Sequence, residues 1–130
     1  MAKELPIARI LQVDDNETYF EVLLDILSGK PGHEVVLTAG TVAQALSFVP
    51  DKLLDMGINV AVLDNKLPGG TGLLIATKIR ETILGLSIVS FSATEGQTWG
   101  DFNILKPSDL SIIRNTIQKA VPLKPPVRRS

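Results

Sequence analysis

Cysteine is absent from the 130 residues, so the chain has neither a disulfide framework nor a thiolate metal site. Histidine occurs once, at His33 in Pro-Gly-His-Glu, without a companion ligand or nucleophile, and it reads as an exposed turn residue. Excess charge is lacking too. Thirteen Lys and Arg stand against 14 Asp and Glu, and a net charge of −1 gives no general pull toward nucleic acid or a membrane surface. Arg128-Arg129 is too short to count as a nucleic-acid patch. No apolar run approaches a membrane span, and Met1-Ala-Lys-Glu-Leu-Pro6 is too polar for a signal peptide. The expectation is a soluble, cytoplasmic protein.

What is present is the material of one ordinary core. Hydrophobic residues make up 45% of a length that fits a single domain. They come in two textures. Short, nearly continuous runs rich in Val, Ile and Leu lie at Arg9–Val13, Glu34–Leu37, Ile58–Leu63, Leu86–Phe91 and Phe102–Leu105, as strands buried on both faces require. Between them, Glu17–Leu27, Val42–Val49, Gly72–Ile83 and Leu110–Val121 carry apolar stripes at helical spacing. Gly29, Pro31 and Gly32 stop the first helix, and Ser108-Asp109 marks the start of the last. Alternating β and α elements predict a three-layer α/β sandwich with right-handed crossovers. The Pro- and Arg-containing end, residues 122–130, cannot continue a helix and reads as a frayed, flexible tail.

In such a sheet, function collects at the carboxyl ends of the strands. The first predicted strand ends in Asp14-Asp15, the third in Asp64, the fourth in Ser92-Ala93 and the fifth in Lys106-Pro107. Singly, each has a structural explanation: Asp14 or Asp15 could cap a helix, Asp64 could open a turn, and Lys106 could be a surface charge. Together they ask for a shared cause. Three clustered carboxylates repel one another, and a hard cation such as Mg²⁺, which prefers oxygen ligands, relieves that repulsion. The cation and Lys106 would then frame one remaining carboxylate and stabilise a phosphoryl group in flight, with Ser92 donating a hydroxyl. Without metal the carboxylates should repel, so neutralising one, as in Asp14→Asn, is expected to stabilise the metal-free protein.

Four segments carry a resemblance. Ile10-Leu-Gln-Val-Asp14-Asp15-Asn16, Ala61-Val-Leu-Asp64-Asn-Lys-Leu-Pro68-Gly-Gly-Thr-Gly72, Phe91-Ser92-Ala93 and Ile104-Leu-Lys106-Pro107 resemble the signature segments of response-regulator receiver domains. The likeness runs from about Arg9 to Val121 and implies a receiver domain over residues 1–121. It also implies a flavodoxin-like α/β/α sandwich around a five-stranded parallel sheet of order 2-1-3-4-5. By that resemblance Asp64 is the phospho-acceptor and Asp15 a direct Mg²⁺ ligand. Asp14 acts on the metal through water, the Lys66 carbonyl completes the ligands, and Ser92 and Lys106 contact the phosphoryl group. The resemblance implies a two-component signalling protein rather than an enzyme, partnered by a histidine kinase or histidine phosphotransfer protein.

Two departures stand out. Receivers place a complete fourth helix between the fourth and fifth strands, but here only the eight residues Thr94–Asp101 are available, two of them Gly. Eight residues span about 12 Å as helix, against roughly 17–20 Å for a five- or six-residue strand and about 26–29 Å when extended. The helix should therefore be missing or reduced to a loop. Trp99 is placed to fold over the gap, or the bared apolar face is covered by a second copy or a downstream protein through residues 94–105. Secondly, the family's switch aromatic, three residues before the Lys, is Asn103. These departures keep open a phosphorylation-independent interaction module. A small phosphohydrolase with Asp64 as nucleophile is disfavoured, because Lys66 stands where a second Asp is needed. Gly69-Gly70-Thr71-Gly72 lacks the ending of a phosphate-binding P-loop and reads as a turn feeding the third helix.

Overall fold

Runs of four to seven Val-, Ile- and Leu-rich residues are too short for helices, and in a computed structural model they form one parallel sheet. The structure describes residues 7–16, 33–93, 95–106 and 109–130. The strands are β1 (Ala8–Val13), β2 (His33–Ala39), β3 (Val60–Leu63), β4 (Ser87–Ser92) and β5 (Phe102–Leu105). Their spatial order is β2-β1-β3-β4-β5, every neighbouring pair parallel. The expected 2-1-3-4-5 order is therefore the observed one.

The pleat divides the core into two layers. Leu11, Val13, Ala61, Leu63 and Ile88 face the layer that holds helices α1 (Val42–Leu46), α2 (Asp51–Asp55) and α3 (Gly72–Thr82). Ile10, Val60, Val62, Val89, Phe91 and Ile104 face helix α4 (Leu110–Ala120) through Ile113, Ile117 and Ala120. Each Val, Leu, Ile or Phe side chain so buried contributes about 1.5–3 kcal/mol by leaving water. The predicted helix Glu17–Leu27 and the residues Pro107 and Ser108 lie outside the described residues.

Helix ends follow local chemistry. Thr41 caps α1 by accepting the Gln44 amide at 3.1 Å, and Asp109 caps α4 by accepting the amide and hydroxyl of Ser111, both at 2.9 Å. Those two bonds hold the Asp109 carboxyl below its ordinary range. The single helix expected over Val42–Val49 is instead broken. Val49 precedes Pro50, which disfavours helical geometry at Val49, so the turn tightens into bonds from Phe48 to Ala45 and from Val49 to Leu46. The chain restarts as α2 at Asp51.

Residues 122–130 depart from the expected frayed tail. They pass beneath the sheet beside Ile7, Gly57 and Asn59, and Val127–Arg128 pairs antiparallel with Ile83–Leu84. The Arg129 amide donates to Thr82, Arg129 Nε donates to the Arg80 carbonyl, and Arg128 pairs with Asp51. Pro122, Pro125 and Pro126 forbid a helix but suit an extended strap, so the proline signal was read correctly and its consequence was not.

Only nine residues, 93–101, join β4 to β5, and the described ones among them form no helix. The bared face is not the apolar surface expected from sequence. On the side of the sheet facing α3, β4 and β5 present Ser90 and Asn103, and the Ser90 hydroxyl donates to Asn103 Oδ1 at 2.6 Å. Asn103 Oδ1 also accepts the Gly100 amide at 3.0 Å, while its Nδ2 donates to the Gly100 carbonyl at 3.1 Å. Trp99 packs half-buried on the layer of α1–α3, the first of the two alternatives for covering the gap. Among residues 95–105, Leu105 is the exposed large apolar side chain, at 44%.

Candidate receiver site at the carboxyl edge

Register brings the predicted residues together. Val13 pairs with Leu63, and Ser92 with Leu105, so the residues after β1, β3 and β5 emerge at one edge with Ser92. The Asp64 amide is fixed by the Val13 carbonyl at 2.9 Å, the Asp14 amide by Ala39 at 3.1 Å, and the Lys106 amide by Ser92 at 2.8 Å. Continued ladder bonding thus places three charged residues just past their strands. Asp15, Asn16, Asp64, Lys66, Ser92 and Lys106 line one cleft.

Lys106 is the centre of the charge balance. Its Nζ donates to Asp14 Oδ2 at 2.6 Å and stands 3.5 Å from Asp64 Oδ2, with side-chain exposures of 5%, 2% and 11% respectively. The same Nζ lies 4.9 Å from the centre of the Phe91 ring. An ammonium this far from water is tolerable only with opposed charge and a polarisable face beside it. The pair also corrects the expectation for Asp14→Asn. Repulsion alone argued that neutralising Asp14 would stabilise the metal-free protein, but Asp14 is the nearer counter-charge of Lys106, so the substitution removes a buried pair.

Asp64 sits differently. Its Oδ1 accepts the Asn65 amide at 2.7 Å. Burial pushes its carboxyl up to about 6, Lys106 pulls it down, the Asp14 charge raises it again, and the Asn65 bond lowers it. Carboxylate oxygens of Asp14, Asp15 and Asp64 lie within 4.8 Å of one another, a set of anionic oxygen donors of the kind hard divalent cations prefer. Asp15 is exposed, as a residue offering an oxygen to a hydrated ion should be.

Every residue singled out from sequence reaches this edge, Lys66 through the short hairpin in which it pairs with Thr71. Two contributors were missed. The Asn16 amide donates to Asp14 Oδ1 at 2.8 Å, an Asx-type turn that the Asp-x-Asn spacing could have signalled. Phe91 was read as core alone, and nothing in sequence marks its ring as the floor under Lys106. His33 instead starts β2 opposite Ala8, at the far end of the sheet.

Known proteins share both pattern and shape. Residues 10–100 match the response regulator receiver domain family. Over 65 residues, half of this chain, the sequence is 42% identical to the DNA-binding transcriptional activator DevR/DosR of Mycobacterium tuberculosis, and the match spans 28% of that protein. The response regulator domain of Thermotoga maritima CheB superposes with a TM-score of 0.73 at 21% identity, covering 88% of this chain and 96% of that one. The signal receiver domain of a putative response regulator NarL from Mycobacterium tuberculosis gives 0.70 at 26% identity, covering 88% and 93%. Among the described residues no helix is long and apolar enough to cross a membrane. Sequence pattern, sheet order and the acidic edge agree, and the chain belongs to the response regulator receiver family of two-component signalling.

Proposed function

We propose that the chain accepts a phosphoryl group on Asp64 from a phosphohistidine of a histidine kinase or phosphotransfer protein, with Mg²⁺ held by Asp15, Asp64, the Lys66 carbonyl and, through water, Asp14. The observation that carries this reading is the buried Lys106, within reach of both Asp14 and Asp64. An Asp64 carboxylate oxygen forms a bond to phosphorus, the phosphorus–nitrogen bond breaks, and its electron pair leaves with the imidazole. When bound, the cation neutralises charge on the transferring phosphoryl oxygens. Asn65 fixes one Asp64 oxygen and leaves the other toward Lys106, so the nucleophile is oriented before the donor arrives. Ser92, at the end of β4, is placed to donate to a phosphoryl oxygen, and Lys106 to pair with another.

Output is then a protein contact made through residues 95–105. Constitutive binding without phosphorylation is the competing reading, favoured by the bonds that pin Asn103 in place of a mobile aromatic. Incubation with Mg²⁺ and acetyl phosphate separates the two. We expect one acid-stable, base-labile phosphoryl group by mass spectrometry, lost in Asp64→Asn. Stoichiometric labelling of Asp64→Asn, or no label on the native chain, overturns the proposal.

A further inference from the structure

The segment that replaces the missing helix touches the acceptor turn at one point. Gly72, the first residue of α3, lies so close to that turn that a Cβ there would collide with the Asp64 carbonyl oxygen, and the same Cβ would stand 2.8 Å from Trp99 Cη2. The Gly72 amide donates to the Asn65 carbonyl at 3.0 Å. The tip of the Trp99 ring thus rests on the residue that abuts the backbone of Asp64 and Asn65.

The rest of the segment is braced around that ring. The indole N–H donates to Gln97 at 2.9 Å, and the Trp99 carbonyl accepts from Arg80 of α3 at 2.7 Å. Arg80 also reaches Asp101 at 3.3 Å, whose other oxygen accepts the Ile88 amide of β4 at 2.8 Å. Asn103 is held by three bonds to Ser90 and Gly100, and any large rotation would break all three. It is a staple. Trp99 instead meets the 64–67 turn through a ring contact on Gly72, so a displacement of that turn reaches the segment by way of Trp99.

We propose that Trp99 is a positioning residue that couples the Asp64 acceptor turn to residues 95–101, so that the state of Asp64 is passed to the surface by ring contact at Gly72. The proposal rests on Asp64 being the acceptor. Rigid packing makes such a junction responsive, because a shift at one side of a filled contact must be matched at the other.

Trp99 is the sole tryptophan, so its emission reports the junction directly. The full chain is treated with Mg²⁺ and acetyl phosphate, and emission is followed while mass spectrometry counts the label. We expect the Trp99 emission to shift or quench in proportion to labelling, with no response in Asp64→Asn. Trp99→Ala should slow labelling several-fold while circular dichroism stays native, and Trp99→Phe, which keeps a ring over Gly72, should restore most of the rate. Full labelling with unchanged Trp99 emission overturns the coupling and leaves the acceptor assignment standing. Absence of label overturns the acceptor assignment and the coupling with it. An emission change that persists in Asp64→Asn also overturns the coupling, since it then arises from the reagents.

Discussion

Asp14, Asp64 and Lys106 each follow the last residue of a strand, and backbone ladder bonds carry them there whatever joins the strands behind them. The nine residues between β4 and β5 obey no such rule. They are held by Trp99 on Gly72, by Asp101 on Ile88 and by Asn103 on Gly100, contacts that no hydrophobic period announces. The placement of the acidic edge thus depends on strand register, while the surface beside it depends on the crossover. The two meet where Trp99 rests on Gly72.

The sharpest way to break that contrast is at its charged centre. Lys106→Met should cost about 3–5 kcal/mol in urea denaturation, because it leaves Asp14 buried without its counter-charge. A loss below about 1 kcal/mol would mean that water reaches Asp14 and that the site is not the dry pair described above.

Acidity gives the next effect. The Asp64 carboxyl keeps its proton to higher pH when folded, about 6 against an ordinary 3.8. Between those values the folded state binds more protons than the unfolded one, so stability falls as pH rises through the window. The shift corresponds to about 3 kcal/mol, fully lost above pH 6 in metal-free buffer. Asp64→Asn should flatten that part of the curve, and an unchanged pH slope in this variant would assign the titration elsewhere.

The crossover offers the two smaller tests. A Cβ at Gly100 would stand 2.6 Å from the Phe102 carbonyl oxygen and 2.8 Å from the Ser90 amide. Gly100→Ala should therefore cost about 1–3 kcal/mol through overpacking against backbone, measured by thermal melting. Asn103→Ala should cost about 1–2 kcal/mol and speed hydrogen exchange at the Gly100 amide. Unaltered exchange there would show that Trp99, Asp101 and Arg80 seat the segment without Asn103.

Sequence made the sheet legible because burial on both faces writes continuous apolar runs, and five such runs admitted few arrangements. The acidic edge was legible for the same reason: Asp14, Asp64 and Lys106 each sit at a fixed offset from a run. Helix α2 was not, since Asp51–Asp55 is a single turn fixed by Pro50 rather than by any period. Nor was the docking of residues 122–130, whose partner Ile83–Leu84 lies some 44 residues away and carries no matching pattern. The partner contacts of Trp99 were also hidden. That a loop must replace the helix followed from chain length, but its seat on Gly72 depends on three-dimensional proximity alone.

The short crossover has a consequence for the order in which the chain assembles. Val89 and Phe102 pair across 13 positions of sequence, whereas Ile10 and Val60 pair across 50 and Val60 and Ser87 across 27. Closure entropy grows with the logarithm of loop length, so joining β4 to β5 costs about 1 kcal/mol less than joining β1 to β3. Parallel pairing is ordinarily the slow, non-local step of an α/β sheet. Here β4 and β5 pair across the shortest connection in the sheet, which makes theirs the strand pair with the lowest closure cost.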